Sequence, residues 1–237
     1  MPEGPEVTII AEGLNKLVSG CYTMGFEFNN NSRYSKKLPD GFNDFQQSLK
    51  DGLVKVVSVT NKGKFIYWTF SNGYYLMQTL GLSGGWFREE KKNSGCLFFF
   101  KNKETYEIHT VYYDDQRRFG TLKFTNDKQV LENKLSQIGP DLLNDKEFDM
   151  TDWLTIFHKP RNQNKMLVKL ITDQKIMSGI GNYLRAEILY EAKLSPHRII
   201  NSLTDKELAK LYKAARYCIY ESYKQGGTSI RHYSDMN

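Results

Sequence analysis

Cysteine is scarce in this chain. Cys21, Cys96 and Cys218 are scattered through 237 residues and never form a C-x-x-C pair, which excludes a disulfide framework and a zinc ribbon among them. Histidine is equally sparse: His109, His158, His197 and His232 stand far apart, so the sequence shows no metal-ligating set, and neither a metal nor a cofactor is expected. There is no signal-peptide pattern and no apolar run of membrane length. These absences point away from a membrane and towards a reducing, intracellular compartment, cytoplasm or nucleus according to source. Internal repeats, low-complexity tracts and a basic tail are all missing.

What remains describes a folded protein with a mild positive bias. Hydrophobic residues make up 40% and aromatics 14%, enough for real cores and too much for a disordered chain. The 33 Lys and Arg against 27 Asp and Glu give a net charge of +6, compatible with a polyanionic partner. That charge is spread evenly along the chain, so a nucleic-acid surface has to be assembled by folding.

The periodicity changes once along the chain. Val7, Ile10, Leu14 and Leu17 carry the spacing of a buried helical stripe. Short β-branched and aromatic runs follow at 53–59, 65–70, 74–80, 97–100 and 119–124, separated by turns such as Ser71-Asn72-Gly73. From about residue 130 the pattern is helical. Leu184, Ile188, Leu189 and Ala192 form one stripe; Leu208, Leu211, Tyr212, Ala215 and Ile219 form another, opened by a Thr204–Glu207 capping box. The expected fold is α+β: an N-terminal helix plus an antiparallel β-sandwich over 1–128, a linker over 129–150, and an all-α helix-two-turn-helix unit over 151–237.

Several short segments carry chemistry. In Met1-Pro2-Glu3-Gly4-Pro5-Glu6-Val7, removal of Met1 makes Pro2 the terminus, and its secondary amine is then a nucleophile. An α-amine is less basic than a lysine ε-amine, which leaves more of it neutral near pH 7; proline's more basic nitrogen works the other way. Attack on a sugar aldehyde carbon gives an iminium that cannot shed its charge by losing a proton from nitrogen, a persistent electron sink. The same residues also read as an ordinary helix start, with Pro5 in the first turn and acidic side chains complementing the dipole. Lys64, after Asn61-Lys62-Gly63, can project from a strand start towards a phosphate or a reacting group, or be a solvated turn lysine. Leu82, in Leu80-Gly81-Leu82-Ser83-Gly84-Gly85, is an apolar tip able to wedge into a base stack, or a core leucine. Asp114-Asp115-Gln116-Arg117-Arg118-Phe119-Gly120 joins two guanidinium groups to a ring that could fill the gap left by an extruded base; its alternative is an edge turn with surface arginines. Gly179-Ile180-Gly181-Asn182 opens a helix whose backbone N–H groups, with the Asn182 side chain, make a phosphate clamp.

In this order, these segments resemble the formamidopyrimidine-DNA glycosylase/endonuclease VIII family over essentially the whole chain. The most specific parts are residues 1–7, Arg117–Gly120 and the run from Ser178 to Tyr190, the last resembling the endonuclease VIII-like branch. The resemblance implies a bifunctional DNA glycosylase and abasic-site lyase of base-excision repair. Pro2 would be the Schiff-base nucleophile, Glu3 the general acid/base at the opened sugar, and Glu6 a support for the helix terminus and the proton network. Lys64 and Asn182 would grip the phosphates beside the flipped nucleotide, with Lys165 and Arg118 added to the DNA-contacting set. Leu82, Arg117 and Phe119 would fill the void. The partner implied is damaged DNA, duplex or single-stranded, the expected state a monomer, and the favoured lesions oxidised pyrimidines.

Two departures from the family pattern stand out. Family members carry a β-hairpin finger, usually with four zinc-binding cysteines, after a Gly-Gly-Thr loop. Here that loop is Gln225-Gly226-Gly227-Thr228-Ser229 and the sequence runs only to Asn237, so the finger is expected to be absent or truncated. Leu82 stands where the family often has methionine, and both are apolar wedges. Two other readings stay open: a DNA-binding protein without turnover, and an abasic-site lyase without glycosylase activity.

Overall fold

The computed structural model describes residues 1–227. The expected residues Thr228 and Ser229 of the Gly-Gly-Thr loop, and the rest of the segment in which a finger would begin, lie outside the described residues.

Helix α1 (Gly4–Val18) starts on a capping box in which Glu3 is the N-cap and Glu6 returns the bond, with Pro5 in the first turn. Val7, Ile10 and Leu14 are fully buried, as their spacing predicts. Burial runs most of the way around the helix, because the sandwich covers one side and the long C-terminal helix α7 (Asp205–Lys224) the other. Tyr223 of α7 donates to Glu12 at 2.6 Å, and that bond, with burial, pushes the phenol up to about 12.

Among the described residues, eight strands form two antiparallel four-stranded sheets. One has the order β1 (Tyr22–Phe28), β6 (Ser94–Lys101), β7 (Ile108–Asp114), β5 (Gly85–Phe87); the other runs β2 (Val56–Lys62), β3 (Phe65–Phe70), β4 (Tyr75–Thr79), β8 (Thr121–Thr125). The core between them is aromatic: Trp68 lies flat on Phe100 at 5.8 Å, and Phe98 packs on Phe26 at 4.2 Å and on Trp86 at 4.7 Å. The sequence pattern locates β2, β3, β4, β6 and β8 within a few residues. It misses β1, β5, β7 and helix α2 (Phe42–Ser48). Leu53, expected to open a strand, is instead largely exposed, and Phe119, expected in a strand, lies in the loop before β8.

The stretch expected as a linker contains a helix, α3 (Lys128–Ser136), which sets Leu131 against Phe65 and Met77 on the outer face of the second sheet. A tightly bonded connection follows. The Asp141 carboxylate accepts from the backbone N–H of Gly63 at 2.7 Å, Leu143 at 2.9 Å and Asn144 at 3.2 Å, and from the Asn144 side chain at 2.8 Å. It thereby ties the β2–β3 hairpin to the start of the second unit.

That unit contains α4 (Met150–His158), α5 (Leu167–Thr172), α6 (Asn182–Ala192) and α7, packed around Trp153, Phe157, Leu170, Leu184 and Leu211. The capping box forms as predicted: Glu207 N–H donates to the Thr204 hydroxyl at 3.3 Å, and Thr204 N–H to Glu207 at 2.8 Å.

Replacing Asp141 by alanine strands the buried Gly63 N–H and two turn donors. The expected loss is about 3 kcal/mol, roughly 6–12 °C in Tm for a chain of this size. Asp141→Asn, which keeps one acceptor oxygen, should fall between variant and parent; thermal unfolding followed by circular dichroism checks both.

Candidate active site

The N-terminal segment ends up buried against residues nearly 180 positions away. Gly4 N–H donates to the Gly179 carbonyl at 2.8 Å, which sets the start of α1 on the turn that precedes α6. The Glu3 carboxylate, 1% exposed, then caps a second helix as well as its own. Its Oε2 accepts from Gly181 N–H at 2.8 Å and Leu184 N–H at 3.1 Å, and its Oε1 from Tyr183 N–H at 2.9 Å. Glu6 Oε2 accepts from Glu3 N–H at 2.9 Å. Pro2 is buried beside these groups, while Met1 is 38% exposed.

The helix N-terminus read from the sequence as a phosphate clamp is therefore partly used within the protein. Glu3 takes three of its N–H groups, leaving Asn182, exposed at the first helical position, as the outward-facing group. A buried carboxylate competes well for such donors, because they and the helix dipole both favour negative charge.

Lys64 enters from the two-residue β2–β3 turn, where Gly63 takes φ +54°. A Cβ at Gly63 would lie 2.6 Å from the Cβ of Ser178, so glycine lets this hairpin touch the turn before α6. A Cβ at Gly181 would lie 2.7 Å from Lys64 Nζ and would overlap the Glu3 carboxylate. Lys64, Glu3 and Gly181 thus converge on one point. Burial pulls the Lys64 ammonium below the usual lysine range, and the Glu3 and Glu6 carboxylates partly restore it. A Cβ at Gly227, after α7, would lie 2.7 Å from Glu6 Cγ, so the first part of the Gly-Gly-Thr loop closes on the same cluster.

Two loops form a second group. A Cβ at Gly81 would meet Gly120 N at 2.6 Å, so the Leu82 turn and the Arg117–Gly120 turn lie side by side. Asp115 joins them, accepting from the Ser83 hydroxyl at 2.9 Å and from Gly120 N–H at 2.7 Å, and Ser83 accepts from Arg117 N–H at 3.2 Å. On this frame Leu82 is 38% and Phe119 58% exposed, and both arginines face solvent. Arg118, at φ +55°, turns back to donate to the Asn30 carbonyl at 3.1 Å. Lys165 lies half-buried in the turn before α5, its backbone bonded to Asn162 and Ile200.

Sequence reading missed Asp141, Ser83, Gln174 and the necessity of Gly181. Gln174 accepts from Gly179 N–H at 3.0 Å and donates to the Ile180 carbonyl at 2.7 Å, holding the turn in shape. Asp141 had a local signal, an Asx turn into Leu143 and Asn144; Ser83 and Gln174 had none. No group of three or more His, Cys, Asp or Glu among the described residues is placed to hold a metal.

A sandwich and a helical unit thus share one buried acid–lysine cluster, beside two loops offering apolar and guanidinium tips. Residues 1–122 match the formamidopyrimidine-DNA glycosylase N-terminal domain and residues 138–234 the H2TH domain of the same proteins. The formamidopyrimidine-DNA glycosylase of Mycoplasma genitalium is 30% identical over 243 residues, covering 99% of this chain and 79% of that protein. That of Listeria monocytogenes serovar 1/2a is 30% identical over 241 residues, covering 98% and 82%. Among solved structures, the MutM (Fpg) protein from Thermus thermophilus superimposes with a TM-score of 0.77 at 27% identity, over 98% of this chain and 80% of that one. The Lactococcus lactis enzyme, bound non-covalently to DNA containing an abasic site, shares the fold with a TM-score of 0.79 at 22% identity, over 96% and 83%. The chain belongs to the formamidopyrimidine-DNA glycosylase/endonuclease VIII family.

Gly181→Ala should displace Glu3 and Lys64 while leaving the helical unit folded, and cut abasic-site cleavage about 100-fold, the effect of an ångström-scale misplacement. The role expected of Lys64 at a DNA phosphate carries a pH dependence. Its ammonium is present below its lowered value and is lost as pH rises through it, earlier than for an exposed lysine. Affinity for abasic-site DNA should therefore fall at a lower pH in the parent than in Lys64→Arg, whose guanidinium stays charged; binding titrations across alkaline pH read the difference.

Proposed function

We propose that this protein excises oxidised bases from DNA and then cleaves the strand, through a Schiff base on the Pro2 amine freed by removal of Met1. The observation that carries this reading is the buried junction of Pro2 and Glu3 with Lys64 and the N-terminus of α6. The Pro2 nitrogen lone pair attacks C1′ of the extruded nucleotide, and the base leaves with the glycosidic electron pair. Ring opening at O4′, which takes up a proton, leaves an iminium between the Pro2 nitrogen and C1′. Glu3 is the carboxyl group positioned to move protons at the opened sugar. The iminium acidifies the C2′ proton; its removal expels the 3′ phosphate (β-elimination), and a second elimination expels the 5′ phosphate. Lys64 and Asn182 hold the flanking phosphates, and Leu82, Arg117 and Phe119 occupy the place of the lost base, whose extrusion costs a few kcal/mol that damage lessens.

The names of the relatives favour ring-opened purines as substrates; the run from Ser178 to Tyr190 favours oxidised pyrimidines. Formamidopyrimidine and thymine glycol duplexes assayed in parallel separate the two. The relatives named above are bacterial, which favours the cytoplasm over a nucleus as the place of work.

Borohydride should trap a covalent adduct between the Met1-processed protein and abasic-site DNA, and retention of Met1 should abolish it. Glu3→Gln should lower cleavage about 100-fold or more, the usual reach of a general acid/base, with DNA affinity changed only a few-fold. Binding without an adduct in the processed parent would favour a non-catalytic DNA-binding protein. Trapping on abasic sites without release of any damaged base would favour a lyase alone.

A further inference from the structure

A basic trough lies on the outer face of the second sheet, at the end that carries the candidate active site. Phe65, Thr79 and Thr121 stand side by side across β3, β4 and β8 and form its floor. Phe65 is the residue after Lys64, Thr79 lies three residues before Leu82, and Thr121 two residues after Phe119. The floor is thus continuous with the base of all three functional loops. The cavity measures about 490 Å³, and Arg33, Lys37, Lys123 and Lys134 line it. The single carboxylate among its walls, Asp40, is 4.0 Å from Lys37, with both groups well exposed.

The cations are held by the fold. Lys134 comes from α3 and sits 5.6 Å above the Phe65 ring, so its ammonium is kept over the floor. Lys123 is exposed on β8. Arg33 stacks over Tyr34 at 5.6 Å and donates to the Gly120 carbonyl at 3.1 Å, which joins this wall to the Arg117–Gly120 loop. Four cations against one carboxylate, in a channel starting at the lesion loops, complement a polyanion that runs past the site and not a compact ligand.

We propose that this trough carries the sugar-phosphate backbone of the duplex arm flanking the lesion, with Lys123 and Lys134 as its principal phosphate contacts. The inference rests on the reading of the site as one that acts on DNA, and it adds a binding surface outside the catalytic cluster. Phosphate contacts release counterions, so each contributes about −0.9 to the slope of log K against log salt.

The test uses the full chain and duplexes carrying a tetrahydrofuran abasic analogue, with one arm half a helical turn or a turn and a half long, varied on each side in turn. Affinity is measured by fluorescence anisotropy from about 50 to 200 mM salt, the range over which such contacts are most evident. The Lys123→Gln/Lys134→Gln variant, which keeps both aliphatic stems, should show a slope shallower by about 2. A fourfold rise in salt should then weaken its binding about tenfold less than the parent's. The difference should vanish when one particular arm is shortened, and persist when the other is. Lys123→Glu should lose more affinity in the same direction. The single-turnover cleavage rate at saturating DNA should match the parent's. An unchanged slope, or a loss independent of which arm is shortened, overturns the trough. Borohydride trapping on the same duplexes reads the catalytic assignment separately: a parent that traps while the variant's slope is unchanged refutes only the trough, and one that binds without trapping refutes only the catalysis.

Discussion

Three backbone N–H groups at the start of α6, donated to one carboxylate from the start of α1, hold the working parts of this protein together. A helix N-terminus leaves up to four donors without intrahelical partners. Burying them unpaired would be costly, and so would burying an unpaired carboxylate. Glu3 and α6 resolve both demands at once. Because the two groups belong to different units, neither unit can complete its interior without the other.

Several features follow from that contact. Gly181 must lack a side chain because the Glu3 carboxylate and Lys64 Nζ occupy the space. Gly4 and Gly179 come close enough for a backbone hydrogen bond. The Gly63 turn reaches the same place, held by Asp141, so hairpin, connection and helix turn share one small volume. Two helix N-termini and a lysine converge here, with Asn182 on the outer side. The Glu3 and Glu6 carboxylates answer that positive charge from within.

The sequence made some of this readable and hid the rest for physical reasons. The Thr204–Glu207 box, the stripes of α1, α6 and α7, and five strands were legible because each signal is local: a cap, a 3.6-residue period, or a short apolar run closed by Gly or Asn. Helix α2 was not, since seven residues starting at a left-handed Gly41 owe their helicity to Phe42 and Phe45 entering the sandwich core. β5, only three residues long, is set by its pairing with β7. The helix N-terminus at Gly181 was legible as an anion site. Which anion fills it was not, because the carboxylate that does so lies 178 residues away along the chain. Asp141 looked like linker material for the same reason: its partner Gly63 is 78 residues distant.

The burial of Pro2 bears on how the protein matures. The residues after it, Glu3 and Gly4, dock on residues 179–184, which the ribosome makes long after the terminus. At about 5–20 residues per second, the delay between the emergence of residue 2 and of residue 184 is on the order of 10–40 s. During that interval the first residues have no α6 to dock against, and an aminopeptidase meets an open terminus. After docking, the bond it must cut leads straight into the interior. On the proposed reading, in which Met1 is removed, translation itself sets the order: trimming precedes the closing of the fold that then shelters the amine.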